Sequence, residues 1–356
     1  MELNVDVLVI GAGQAGLAMG HYLSKHQPSL TFAIIDRGSQ IGEVWRNRYD
    51  SLILFTPRWF SSLPGLDLQG FSSGYATKDE IADYLLTYAG TFQLPVHLQT
   101  EVLRLEKTPD GFKALTSRGI YLAKKVIVST GPFQKPFIPS MANSLSNDVY
   151  QVHTSSYLNP KQLKEGNVLV VGAGNSGAQI AVELSKTRDV LISMGHQPKF
   201  MPVELAGKSI FWWFHKSGVM KATISSPFGR WLSKQPDPIF GKELKILSDR
   251  RVILTKPRAV KAAGRTIWFQ DQSELKVDNV IWGTGFISDY GWIHIPGVVQ
   301  PSGKPVHRRG VSPIEGLFFL GLPWQNRRGS ALIGGVGEDA RFLYEYVARG
   351  QDQLVF

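Results

Sequence analysis

Apolar positions along this chain switch between a short unbroken run and a helical spacing, and the switch recurs. Residues 5–10, Val-Asp-Val-Leu-Val-Ile, form an apolar run of the kind a buried parallel strand needs. Gly11-Ala12-Gly13-Gln14-Ala15-Gly16 follows at once, and helical spacing then runs through Leu17, Tyr22 and Leu23 to an expected end near Pro28. A second apolar run, Phe32-Ala33-Ile34-Ile35, closes on Asp36, which stands 20 residues after Gly16. The order is strand, glycine turn, helix, strand, acid. At about that offset a carboxylate can take the ribose hydroxyls of a bound dinucleotide.

The same grammar returns 161 residues later. Val168-Leu169-Val170-Val171 leads into Gly172-Ala173-Gly174-Asn175-Ser176-Gly177, a helix through Ala181, Val182 and Leu184, and a strand at Val190-Leu191-Ile192-Ser193. Two more apolar runs end in small-residue turns, Val126 to Gly131 and Val280 to Gly285, as returns from an inserted domain would. One glycine fingerprint is weak evidence, but two, each set between strand and helix, make packing glycines alone a poor account. Glycine lets the backbone approach a pyrophosphate, and a helix N-terminus offers free N–H groups and a partial positive charge. The expected fold is α/β, with two Rossmann-like dinucleotide-binding domains.

Composition narrows the chemistry. At about 150 residues per domain, 356 residues make about two domains. The absence of cysteine excludes a disulfide scaffold, a thiolate metal site, a cysteine nucleophile and a dithiol redox pair. The 39 Lys and Arg against 29 Asp and Glu leave a net charge of +10, but the basic residues are scattered and not interleaved with stacking aromatics, so nucleic acid is not an expected partner. No apolar run reaches the ~18 residues of a membrane span, and the chain enters its first strand without a basic leader. The expectation is a cytoplasmic protein with no stable membrane insertion. Residues 200–260 stand apart: Phe211, Trp212, Trp213, Phe214, Phe228 and Trp231 alternate with Lys208, Lys216, Lys221, Arg230 and Lys234. They read as an aromatic and basic insertion, whether packed on the surface, forming a lid, or touching a membrane.

Beyond the two fingerprints, the chain resembles the flavin-containing monooxygenases, especially compact bacterial members and the plant auxin-forming branch. Ile41-Gly42-Glu43-Val44-Trp45 is similar to the family's Gly-Gly-x-Trp segment, with Glu43 in place of the second glycine. Tyr49-Asp50-Ser51-Leu52, Thr56-Pro57 and Leu63-Pro64-Gly65 are also family-like. Val152 to Tyr157 resembles the latter half of the identifying motif, while Asn147 and Val149 depart from its first half. Tyr157 stands where the related Baeyer–Villiger enzymes carry Trp, which favours heteroatom oxygenation. Gly316 to Gly321 looks like the strand that returns to the flavin, and Ala331 to Gly337 opens the last helix.

The resemblance implies an FAD domain from residues 1–159 and 286–356, with an NAD(P)H domain at 160–285 inserted in it. It implies cofactor contacts at Gly11, Gly13, Gln14, Ala15, Gly16, Asp36, Arg37, Trp45, Arg46, Val102, Thr130, Gly131 and Gly321. Further contacts are implied at Gly172, Gly174, Asn175, Ser176, Gly177, His196, Gln197, Gly283, Thr284 and Gly285. NAD(P)H would reduce FAD, and the reduced flavin would trap O₂ as a C4a-(hydro)peroxide that oxygenates a small nucleophile, a sulfide or an amine. Phe55, His153 and Tyr157 are the candidate catalytic residues. His153 and Tyr157 are either cofactor contacts or satisfied structural groups. Phe55 falls where animal and methylotroph members carry an asparagine that hydrogen-bonds the peroxide, unless it is merely core. A phenyl ring donates nothing, which implies an uncoupled, slow and poorly stereoselective oxygenase. The alternatives are an NAD(P)H oxidase or diaphorase, and a nucleotide-sensing flavoprotein. NADPH-specific relatives place an arginine where Gly195 stands here, so NADH is expected beside NADPH, with Lys199 the cation able to alter that balance. The oligomeric state is left open by the sequence, with a homodimer among the expected assemblies.

Overall fold

The computed structural model describes residues 2–26 and 29–349. Strand Glu2–Ile10 turns Val7 and Val9 into one apolar cluster and Leu8 and Ile10 into another, so it is covered on both faces. It pairs in parallel with Phe32–Ile35 and with Gly119–Val128. The seven-stranded sheet extends from there to Val96–His97 at one edge and through the antiparallel strands Gly111–Thr116 and Val102–Thr108 to the other. Leu317–Phe319, from the far end of the chain, adds a parallel partner to Gly119–Val128. Helices Gln14–His26, Lys78–Thr91 and Ile333–Arg349 cover one face. Tyr290, Ile293, Ile295 and Val298 close the other against Phe112 and Phe319. The first helix is described as far as His26, and Pro28, its expected end, lies outside the described residues.

A second sheet has five parallel strands in the order Tyr150–His153, Asn279–Trp282, Val168–Val171, Val190–Ser193, Ile253–Lys256. The same division of faces recurs, with Val168 and Val170 in one cluster and Leu169 and Val171 in another. The fold is thus α/β with two Rossmann-like sheets, joined where Lys135–Pro136 pairs with Phe286–Ile287.

Two boundaries differ from those read in the sequence. Tyr150–His153 is already an edge strand of the second sheet, so a division at 159/160 falls too late; the run is short and partly polar, and only its parallel pairing with Asn279–Trp282 reveals its place. Ile253–Lys256 likewise belongs to that sheet, so the insertion closes before 253 rather than at 260. Between the sheet strands lie the short helices Ile210–Lys216, Pro227–Ser233 and Glu243–Asp249. Ile210, Phe211, Met220 and Phe240 form a small core with Phe55, Trp59, Phe60 and Leu332, which docks the insertion on both ends of the first domain's chain. Among the described residues no helix is long and apolar enough to cross a membrane.

Candidate functional site

The three glycines of each fingerprint do different physical work. Gly11 has φ +109°, and a Cβ there would lie 2.6 Å from the Ser129 carbonyl oxygen; a Cβ on Gly16 would lie 1.9 Å from the Gly11 carbonyl oxygen. These two positions bring the turn, the helix and the neighbouring strand into contact. Gly13 between them has nothing within 4 Å of its missing side chain. In the second fingerprint Gly172 abuts the Gly283 carbonyl oxygen at 2.3 Å, Gly177 abuts that of Gly172 at 2.2 Å, and Gly174 faces open space. Each turn is thus closed at two corners and open at the middle one, where a ligand phosphate can approach the backbone.

The first turn opens into a cleft of about 610 Å³. Gly11, Gly13, Gln14, Ala15, Asp36, Arg37, Trp45, Val102, Thr130, Gly131 and Gly321 all line it. At its floor Asp36 accepts hydrogen bonds from the backbone N–H of Ala12 through Oδ2 and of Gly38 through Oδ1, both at 2.7 Å. The carboxylate is thereby held at the strand end and turned to the cleft, as a ribose-binding acid must be. Gly131 (φ +70°) leaves open space on the opposite wall. Gly16 stays behind the wall as a packing glycine. Arg46 does not line the cleft: it pairs with Asp83 and, at 3.9 Å, with Asp79 on the neighbouring helix.

Sequence reasoning missed several lining residues. Gln134 donates to the Thr130 hydroxyl at 2.8 Å and to the Gly131 carbonyl at 3.0 Å, and accepts from the backbone of Asp289, so it ties the segment after strand Gly119–Val128 to the late segment at Asp289 on one side of the cleft. Phe133, Asp289 and Trp292 complete that side. They lie far apart in the chain and match no local motif. Arg48 stacks its guanidinium between Phe133 and Phe286, 5.0 and 5.5 Å from their centroids.

The candidate catalytic residues are placed less simply. His153 is buried at the crossover: its Nδ1 accepts from the backbone N–H of Ser155 at 3.1 Å, so Nε2 carries the proton and donates to the Gly285 carbonyl at 3.0 Å. Burial pushes its pKa below the ordinary histidine range. The Gly285 carbonyl also accepts from the Phe137 N–H, and the Thr284 hydroxyl donates to the Phe137 carbonyl, so His153, Thr284 and Gly285 fasten the joint between the sheets. Tyr157 is fully buried in the second sheet's core and donates to Glu183 Oε2 at 2.9 Å, as a satisfied structural group does, and it does not line the cleft at the first turn. Burial and that carboxylate push its hydroxyl far above the usual tyrosine range. Phe55 is half-buried, stacked on Phe240 at 4.4 Å and near Phe211 at 6.0 Å, within the insertion's aromatic core.

Around the second turn, the Asn175 amide is committed to the protein, donating to the Pro238 carbonyl at 3.1 Å and accepting from the Phe240 N–H at 2.9 Å. The side chain pins the insertion against the start of helix Asn175–Leu184, so a nucleotide contact at this position would come from the backbone N–H at the helix start. Ser176 lies against Tyr49. Gly283 packs on Gly172, and His196 and Gln197 are exposed on the loop after Val190–Ser193. Lys199 is engaged with Gln235 Oε1 at 3.2 Å.

Comparison with known proteins agrees with this geometry. A sequence profile of the pyridine nucleotide-disulphide oxidoreductase family matches residues 8–201. The chain is 63% identical over 343 residues, 96% of its length and 98% of the relative's, to an uncharacterized CzcO-like oxidoreductase of Geobacillus kaustophilus. It is 25% identical to an indole-3-pyruvate monooxygenase, YUCCA1, of Oryza sativa subsp. japonica, over 92% of this chain and 86% of that one. A flavin-containing monooxygenase from Stenotrophomonas maltophilia superimposes with TM-score 0.80 at 26% identity, covering 97% of this chain and 98% of that one. The family description names disulphides, yet this chain has no cysteine, so what it shares is the handling of nucleotides. The open middle glycine, the oriented Asp36 and the size of the cleft fit a flavin dinucleotide. The chain belongs to the pyridine nucleotide-disulphide oxidoreductase family, on its flavin monooxygenase side, and is an FAD-dependent oxidoreductase.

Proposed function

We propose that this protein uses NAD(P)H and O₂ to oxygenate a soft nucleophile, a sulfide or an amine, with FAD in the cleft at the first turn and the nicotinamide coenzyme at the second. When bound, FAD supplies hydride acceptance from the coenzyme and electron delivery to O₂. The observation that carries the reading is the pairing of two turns, each closed at two glycines and open at Gly13 or Gly174. The backbone at Gly13 and the N-terminus of helix Gln14–His26 hold the pyrophosphate of the flavin nucleotide, and Asp36 takes its ribose. Gln134 keeps Thr130 and Gly131 in place beside the flavin, while His153, locked as the neutral tautomer, sets the angle between the two sheets. The loop after strand Val190–Ser193 carries no acidic residue to repel a 2′-phosphate, so NADH and NADPH both enter.

Phe55 supports a second reading, an oxidase that releases hydrogen peroxide, because the ring offers no hydrogen to an oxygen anion and is surrounded by other rings. One assay tests both. The purified flavoprotein is supplied with NADPH or NADH and with thioethers or amines, and oxygenated product and hydrogen peroxide are measured together. Product exceeding peroxide supports the oxygenase, peroxide alone supports the oxidase, and a protein that cannot be loaded with FAD overturns both.

A further inference from the structure

The two turns can be superimposed residue by residue through their hydrogen bonds. The Gly11 N–H donates to the Ile35 carbonyl at 2.8 Å, and the Gly172 N–H donates to the Ser193 carbonyl at 2.9 Å. Ile10 is in register with Ile35, and Val171 with Ser193. Asp36 therefore corresponds to Met194, and Arg37 to Gly195. Met194 has no acid to take ribose hydroxyls, and at 195 a side chain is missing where one would face the adenosine end of the coenzyme.

That missing side chain's space is filled from the link that follows the next strand, Ile253–Lys256. A Cβ built on Gly195 would stand 3.0 Å from Arg258 Nη2, 3.2 Å from Cζ and 3.2 Å from Nε, so the whole guanidinium lies across the glycine. The backbone on both sides of Arg258 is pinned to the end of strand Val190–Ser193. The buried Ser193 hydroxyl donates to the Pro257 carbonyl at 2.8 Å and accepts from the Ala259 N–H at 3.0 Å. The Arg258 carbonyl accepts from the Gln270 N–H at 2.9 Å. Among the described residues the guanidinium itself has no hydrogen-bond or ion-pair partner, and it is exposed. The other nearby cations are occupied: Lys199 on Gln235, and Lys256 on the Ser273 hydroxyl at 3.0 Å and over the Phe269 ring.

We propose that Arg258 is the cation that recognises the 2′-phosphate of NADPH, reaching over Gly195 from the link that follows the neighbouring strand Ile253–Lys256, so that the protein binds NADPH more tightly than NADH. This rests on the reading of the second turn as the coenzyme site. Arginine suits the role because its planar, always-charged fork meets a phosphate through two parallel hydrogen bonds. Glycine at 195 is then a requirement of the recognition, and coenzyme choice is carried by a residue 63 positions beyond it.

The test is calorimetric titration of the oxidised, FAD-loaded protein with NADP⁺, NAD⁺ and adenosine 2′,5′-bisphosphate. Wild type should bind NADP⁺ at least about tenfold more tightly than NAD⁺. Arg258→Ala should weaken NADP⁺ and the bisphosphate by about tenfold or more and leave NAD⁺ within about twofold, since a charged hydrogen bond to phosphate is lost. Arg258→Lys should restore part of the difference. Gly195→Val, which pushes the guanidinium aside while leaving Arg258 in the chain, should reproduce the loss. Equal binding of NADP⁺ and NAD⁺ by wild type, or an unchanged NADP⁺ affinity in Arg258→Ala, overturns the assignment while leaving the coenzyme site in place. Failure of all three nucleotides to bind overturns the coenzyme site and the assignment with it.

Discussion

The two glycine turns are built alike and finished differently. Both press a first glycine against a neighbouring strand and a third against the first, and both leave the middle one open. After that they diverge. The first strand pair ends in Asp36, whose oxygens are held by Ala12 and Gly38, whereas the second ends in Met194 with Arg258 lying over Gly195. The first turn opens on a cleft of about 610 Å³, whereas the second has the insertion pinned across its helix start by Asn175. The shared part is backbone geometry needed to bring a pyrophosphate to a helix N-terminus, and the divergent part distinguishes one nucleotide from another. A carboxylate excludes a 2′-phosphate, and a guanidinium attracts it.

This comparison can be broken most forcefully at the closed glycines. Gly16→Ala and Gly177→Ala each drive a Cβ to within 1.9 or 2.2 Å of a carbonyl oxygen, and each should destabilise by roughly 3 kcal/mol or more or yield insoluble protein, read by thermal denaturation. The open glycines separate binding from folding. Gly13→Ala should melt within about 2 °C of wild type yet lose most of its flavin absorbance, while Gly174→Ala should keep its flavin and lose coenzyme affinity by about tenfold. Equal effects at open and closed positions would refute the division of labour.

A smaller effect is expected at the acid. Asp36→Ala removes the acceptor for two backbone N–H groups, costs about 2 kcal/mol and lowers the ratio of bound FAD to protein. The reciprocal change, Met194→Asp, places a carboxylate at the matching position of the second turn and should shift preference towards NADH by at least about tenfold in steady-state kinetics. Smaller again is the change in coupling. Phe55→Asn supplies a donor and should raise the ratio of oxygenated product to hydrogen peroxide several-fold, at a cost of about 2 kcal/mol from the stacked aromatic core. An unchanged ratio would place Phe55 outside the chemistry.

The least expected effect is on stability against pH. Burial holds the folded-state pKa values of His153 and His307 below their unfolded value of about 6.5, so the unfolded chain takes up protons first as pH falls. Stability should be level above about 6.5 and decline below it until the folded histidines protonate. His153→Gln should flatten part of that decline in denaturant titrations between about pH 5 and 7. A slope unaltered by the substitution would show that His153 does not titrate with unfolding.

Much of this arrangement was legible in the chain, for identifiable reasons. Apolar runs such as Val168 to Val171 announce buried parallel strands because both faces must avoid water, and the glycine spacing announces the turns because only glycine tolerates the contacts at 11, 16, 172 and 177. The edge strand Tyr150–His153 was hidden by its polar residues, since an edge needs only one apolar flank. Gln134 and Arg48 were hidden because a side chain that bridges distant segments leaves no periodic mark. Asn175 and Tyr157 occupy positions the resemblance reserved for cofactor chemistry, yet their hydrogen bonds go to Pro238 and Phe240 and to Glu183.

What the sequence by itself determined is therefore the local part: two strand-turn-helix units, their open glycines, the acid after the first, and the absence of thiol chemistry. These follow from backbone sterics and short-range periodicity, which act within a few residues and need no partner. Only the tertiary structure decided which strands share a sheet, that the insertion rests on Phe55 and Asn175, and that Arg258 lies over Gly195. Those contacts join residues far apart in the chain, and burial and charge select them only once the two sheets have formed and brought the segments within reach of one another.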